Sequence, residues 1–137
     1  MIAVFDGEYA FLSNFYERKI EYKGITYGSS EAAFQAQKTI KPEERERFIG
    51  LTPMQSKRLG RKITLRLDWE EVKTQIMYEI VREKFLQHPD LAAMLVATKD
   101  EELVEGNYWR DTVWGVCDGV GENRLGKILM KVREELR

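Results

Sequence analysis

The stretch DWEEVKTQIMYEIVREKF, Asp68 to Phe85, decides the architecture. Asp68 stands where a helix wants its N-cap, and Glu70 and Glu71 follow in the first turn, where the helix dipole favours acids. Behind them Trp69, Val72, Ile76, Met77, Ile80, Val81 and Phe85 recur at helical spacing, which predicts the longest helix and the core of the protein. Downstream, Pro89 opens a helix carrying Leu91, Met94 and Leu95. Leu103-Val104-Glu105 reads as extended, and residues 106–121 show neither helical nor alternating period. A last helix runs from about Asn123 to Leu136, with Leu125, Ile128, Leu129, Val132 and Leu136 on one face.

Upstream, Thr52-Pro53-Met54-Gln55 is a capping box whose helix stops at Gly60. Lys41-Pro42 starts another helix, closed by Gly50. In Gly28-Ser29-Ser30 a serine caps a helix beginning near Glu31. Ile20 to Tyr27 predicts two short strands about a Lys23-Gly24 turn, and Phe11 to Tyr16 reads as a loop or short strand. The sum is an α+β fold: one compact, helix-dominated domain over residues 1–137 with a few short strands.

At 137 residues, 43% hydrophobic and 33% charged, the chain can bury a real core and is not expected to be disordered. No apolar run approaches the ~20 residues of a membrane span, and the opening Met1 to Asp6 does not read as a signal peptide. Cys117 is the lone cysteine, so no internal disulfide forms and a reducing cytoplasm is expected. A formal charge of −1 argues against gripping long nucleic acid by phosphate neutralisation, though not against holding one nucleotide. One histidine, His88, and one cysteine rule out a His/Cys zinc site, and neither metal nor cofactor is expected. His88, beside Pro89, reads as a helix cap. Chemistry therefore falls to carboxylates, lysine and aromatic walls.

Three places offer it. On the helix opening at Ser30, Glu31, Gln35 and Lys38 fall at i, i+4 and i+7 and share a stripe, with Lys38 roughly 10 Å along the axis from Glu31. Ala32, Ala33 and Ala36 give that helix a thin flank suited to burial. A buried helix presenting Glu, Gln and Lys would line a cavity; the alternative is a surface helix whose Glu is only a capping device. The Gly106–Trp114 loop holds Asn107, Tyr108, Trp109, Asp111 and Trp114. Its aromatics can stack on a base or simply anchor the loop. Gly119 to Gly126 enters the last helix and could seat a phosphate or be only a turn. The cluster Lys57-Arg58-Leu59-Gly60-Arg61-Lys62 is a solvated face or a guide for phosphate.

Taken together, Phe11-Leu12-Ser13-Asn14-Phe15, Ser30-Glu31-Ala32-Ala33-Phe34-Gln35-Ala36-Gln37-Lys38, Leu59-Gly60-Arg61, Asp68-Trp69, Gly106 to Gly115 and Gly121-Glu122-Asn123-Arg124-Leu125-Gly126 resemble, in this order, the NADAR family. The resemblance covers almost the whole chain. It implies a mostly helical fold, no metal, and N-glycosidic cleavage. The family's substrates are ADP-ribosylated guanine bases of nucleic acid, or phosphoribosylated intermediates of riboflavin synthesis. The loop from Asn107 to Trp114 tilts the expectation toward ADP-ribosyl conjugates. Within that frame Glu31, Lys38 and Asp111 are the candidate catalytic residues. Asn14, Phe15, Gln35, Arg61, Asn107, Trp109, Trp114, Gly115 and Asn123 would bind substrate. The expected partner is a ribosylated nucleotide or ADP-ribose conjugate, free or within modified nucleic acid. A non-catalytic ADP-ribose reader would use the same residues.

Overall fold

The computed structural model describes the whole chain, Met1–Arg137. Its contacts cluster into two units, Asn14–Gln87 and the pairing of Met1–Ser13 with His88–Arg137. In chain order a 3₁₀ helix, Gly7–Leu12, precedes β1 (Ile20–Tyr22), β2 (Ile25–Tyr27), α1 (Ser30–Ala36), α2 (Pro42–Glu46), α3 (Pro53–Leu59) and α4 (Trp69–Gln87). Then come α5 (Pro89–Val96), β3 (Gly106–Asn107), β4 (Val116–Cys117) and α6 (Arg124–Leu136). The α+β class with few, short strands is as the sequence predicts. No helix is long and apolar enough to cross a membrane.

In the unit Asn14–Gln87, β1 and β2 pair antiparallel with Ile20 opposite Tyr27. Lys23 and Gly24 both take positive φ, 49° and 85°, the tight turn that the dipeptide predicts. The hairpin, α2, α3 and α4 all pack against α1. All seven residues of α1 are buried, with Ala32, Ala33 and Ala36 at 0% exposure. A helix this short is unstable alone, so packing holds it, and the missing side-chain bulk lets its neighbours close on it. Phe34 leans on Trp69 with ring centroids 5.0 Å apart. The capping box at Thr52 is present, both of its hydrogen bonds made with Gln55.

Along α4 the apolar face is the predicted one, save that Val72 is only half-buried and Lys84 is buried in the last turn. The Asp68 carboxylate goes to Arg66, 2.6 Å away. Two helices end earlier than predicted. α1 stops at Ala36 rather than Lys38, and α2 at Glu46, with turns of 3₁₀ type running on to Gly50.

In the other unit α5 and α6 pack together. Leu91 and Leu95 are buried, but Met94 is 40% exposed and is not part of the core face. His88 occupies the N-cap position of α5 without a side-chain cap hydrogen bond, so its predicted capping role is not made by the ring. Leu103 forms a parallel bridge with Ile2. Within the aperiodic stretch, β3 and β4 form a two-residue parallel ladder, too short to leave an alternating pattern. The segment Phe11–Leu12, predicted as loop or strand, closes the 3₁₀ helix instead. Leu125, Ile128, Leu129 and Val132 are buried on α6 as predicted, and Leu136 is half-buried. Arg133 is buried beside them, donating to Thr98 Oγ1 at 3.0 Å and to the Glu101 carbonyl at 2.8 Å.

Candidate active site

The first turn of α1 carries the chemistry. Ser29 caps it, its hydroxyl accepting the Ala32 N–H at 3.1 Å. The Glu31 N–H donates to the Asn14 carbonyl at 3.1 Å, while the Asn14 amide donates to Met77 Sδ at 3.3 Å. Asn14, 7% exposed, thus ties the start of α1 to α4. Glu31 is 8% exposed and accepts from Gln35 Nε2 at 2.9 Å, one helical turn on. Gln35 Oε1 has no hydrogen-bond partner in the protein.

Lys38 lies in the turn beyond α1, its N–H on the Gln35 carbonyl at 3.2 Å and its own carbonyl accepting from Arg66 N–H at 2.7 Å. Its ammonium stands 6.0 Å from the centre of the Trp69 ring. Burial lowers the Lys38 pKa below the ordinary 10.5; the Glu31 charge pulls it back up, and Arg61, Lys57 and Lys73 lower it further. Lys57 covers the Phe15 ring at 6.0 Å. Lys73 pairs with Glu70 at 2.6 Å. Five of the predicted residues besides Asn14 (Phe15, Glu31, Gln35, Lys38 and Arg61) therefore lie in this unit, and the electrostatic coupling joins Glu31, Lys38 and Arg61. A carboxylate beside a partly desolvated amine, ringed by cations, can take a proton, stabilise a cation and attract an anion.

The remaining predicted residues lie in the other unit. Asn107 clamps the loop: its Nδ2 donates to the Asp111 carbonyl at 2.9 Å, and its Oδ1 accepts the Asp111 N–H at 3.0 Å. Asp111 Oδ1 in turn accepts from Val113 N–H at 3.1 Å and Trp114 N–H at 2.9 Å. This clamp presents Tyr108 and Trp109, 88% and 52% exposed, edge to face at 5.1 Å. Trp114 is half-buried. Gly115 is buried where a side chain would strike the Glu105 carbonyl. Asn123, at φ 51°, spends both ends of its amide on backbone, donating to Leu103 O at 2.9 Å and accepting from Glu105 N–H at 3.0 Å.

The helix entry at Gly119–Gly126 is not an open phosphate seat. Consecutive carbonyls of Thr112, Val113, Trp114 and Gly115 take the N–H groups of Glu122, Arg124, Leu125 and Asn123. Donors already used by the chain cannot cradle an anion. Gly126 is explained by packing: a Cβ there would collide with the Leu103 carbonyl and the Asn123 amide. An open groove of about 850 Å³ in this unit, lined by Ile2, Glu8, Tyr9, Phe11, Met94 and Thr98 among others, contains none of the predicted residues. No cluster of three or more His, Cys, Asp or Glu side chains is placed to hold a metal.

Sequence reasoning missed Lys57 and Lys73 as neighbours of Lys38, and Gly60 as a neighbour of Gln35. The basic run around Lys57 was the available signal. It also missed Lys84, 3% exposed with its amine 5.8 Å from the Tyr16 ring centre and 5.4 Å from that of Phe85. Burial, aided by the Arg18 charge, brings Lys84 from 10.5 down to about 7.

The model of the NADAR domain matches residues 4–137. The N-glycosidase YbiA of Escherichia coli is 42% identical over 133 residues, covering 94% of this chain and 82% of that protein. An N-glycosidase of Nostoc punctiforme is 41% identical over 136 residues, covering 94% and 86%. A riboflavin biosynthesis protein of Vibrio vulnificus is 43% identical over 136 residues, but these span only 37% of its length. The NMR structure of E. coli YbiA superposes with a TM-score of 0.87 at 40% identity, covering 99% of this chain and 84% of that one. The chain belongs to the NADAR domain family and is by that kinship an N-glycosyl hydrolase.

Proposed function

We propose that the chain hydrolyses the C1′–N bond of a phosphorylated ribose conjugate, ADP-ribosylated guanine being the first substrate to consider. The observation that carries this is Glu31: a carboxylate 8% exposed on a wholly buried helix, braced by Gln35 and coupled to an amine that burial makes less basic. A surface capping glutamate would not be enclosed in this way. As the C–N bond breaks, its electron pair leaves with the base and positive charge grows at C1′. Glu31 faces that charge and takes one proton from the water whose oxygen bonds to C1′; the departing base is protonated in turn. Lys38 pairs with the substrate's anion, or its neutral amine attacks the aldehyde of the opened ribose to give an imine and water. Arg61 and Lys57 supply the positive field that a phosphate seeks, and Phe15 offers a face for a ring. Asp111, whose Oδ1 is occupied by two backbone donors, shapes the loop that presents Trp109. Residues 1–137 act in this reading as one NADAR domain, and the buried lone thiol Cys117 suits a reducing cytoplasm.

A second reading takes phosphoribosylated pyrimidine intermediates of riboflavin synthesis as substrate. The names of the Vibrio relative and of a maize relative 32% identical over 126 residues favour it. The deciding experiment offers purified protein ADP-ribosylated guanosine and the pyrimidine phosphoribosides in parallel and follows base release by mass spectrometry. Retention of an ADP-ribose conjugate without release would instead mark a reader domain. With the cleaved conjugate, Glu31→Gln is expected to slow turnover about 10²–10⁴-fold. Normal turnover by that variant refutes the assignment.

A further inference from the structure

We infer that Gln35 and Gly60 form a positioning device for the Glu31 carboxylate; this rests on the reading of Glu31 given above. The Gln35 side chain is buried at 6% exposure, one helical turn on from Glu31. Its Nε2 is committed to Glu31 Oε1 at 2.9 Å. Its Oε1 is buried without a hydrogen-bond partner, facing the Cα of Gly60. A buried acceptor left unmet is unfavourable, and methionine would fill the same volume without that burden. An amide is kept here for its donor end.

Gly60 makes that orientation possible. Its φ is −58°, which any residue adopts, so backbone conformation does not require glycine. Space does: a Cβ at this position would collide with Gln35 Oε1 and lie 2.9 Å from Gln35 Cδ and 3.3 Å from the Ser56 carbonyl. The obstructed group is the end of a flexible side chain. Gly60→Ala should therefore fold, with the amide swung away from Glu31. By donating to Oε1 the amide holds the Glu31 carboxylate in one orientation and favours its ionised form.

The charged groups that act on Lys38, the amine coupled to Glu31, and those on the other elements packed against α1 are common to every variant. Lys38 follows α1, Lys57 and Arg61 lie on α3 and its exit, and Lys73 is on α4. On α2, Glu44 is bound to Thr39; on β1, Tyr22 is bound to Glu79; on β2, Tyr27 meets Gln37.

Two measurements test the inference. In the first, the Glu31 side-chain carboxyl carbon is followed by NMR titration, without substrate, in wild type and Gln35→Met. Loss of the donor should raise its midpoint by about one pH unit; an unchanged midpoint overturns the inference. The second reads kcat and KM on the conjugate that the substrate panel shows to be cleaved. Gly60→Ala and Gln35→Met should lose about 10–100-fold in kcat with KM nearly constant. The double variant Gln35→Ala/Gly60→Ala should be no slower than Gln35→Ala, because the added methyl then has nothing to displace. Multiplicative losses in the double variant overturn the coupling. Full kcat in Gln35→Met beside an inactive Glu31→Gln overturns the positioning role alone, whereas full kcat in Glu31→Gln overturns the reading of Glu31 itself.

Discussion

Replacing Lys84 by methionine should stabilise the protein at neutral and acidic pH and flatten its pH dependence. Lys84 closes α4 with 3% exposure and its amine against the rings of Tyr16 and Phe85, so its proton is held at about 7 instead of 10.5. Between those values the unfolded chain keeps the proton and the folded chain releases it. Folding stability from this group therefore rises with pH across the window, at ~1.4 kcal/mol per pH unit. Below about 7 both states are protonated and the full penalty of burying an ammonium stands, at most about 5 kcal/mol over this interval. Methionine fills a similar volume without a charge. After loss of the amine's own contacts, returning about 1–2 kcal/mol, Lys84→Met should gain about 3 kcal/mol at pH 6. For a chain of this size that is a rise of about 10 °C in Tm. The assay is urea unfolding followed by tryptophan fluorescence at several pH values from 6 to 9.5. The difference between variant and wild type should shrink steadily above pH 7. A difference that is constant with pH would refute the reasoning, whatever its size.

Other outcomes follow from named contacts. Asp111→Asn keeps an oxygen for the Val113 and Trp114 N–H groups and should unfold within ~0.5 kcal/mol of wild type, whereas Asp111→Ala should lose about 1–3 kcal/mol in the same urea titration. Gly126→Ala forces a methyl onto the Leu103 carbonyl, which is backbone and cannot swing aside; a loss of about 2–4 kcal/mol is expected by thermal unfolding. If Lys38 attacks the opened ribose, borohydride trapping with substrate should label it, and labelling should reach its half-maximum at a pH below 10.5, because burial makes the amine less basic. Absence of label at Lys38 leaves it the ion-pairing role only.

Local chemistry made much of the fold readable. Lys23-Gly24 needs two positive φ angles, and Thr52 with Gln55 states its cap in side-chain hydrogen bonds, so both features follow from a few adjacent residues. The face of α4 is readable because six of its buried positions are apolar; Lys84 hides there since its aliphatic stem and polar tip send opposite signals. The candidate site was half readable. Glu31, Gln35 and Lys38 stand out as a stripe, and three alanines signal enclosure. The partners that tune the site come from elsewhere in sequence: Lys57 and Gly60 from α3 and its end, Lys73 from α4. The glycine-bearing entry to α6 misleads for the same reason. Whether its amides are open depends on four carbonyls some ten residues away, which no local pattern reveals.

That carbonyl-to-amide seam between Thr112–Gly115 and Glu122–Leu125 also limits how the protein can change in length. Each pairing is specific to its residue, so one residue gained or lost inside either half would slip the seam and strand backbone groups, those of the buried Gly115, Asn123 and Leu125 among them. The turn at Tyr108-Trp109-Arg110 lies outside it, closed at its base by Asn107 and Asp111. Insertions there would leave every pairing below untouched, making that tip the place where relatives can grow new contacts without rebuilding the domain.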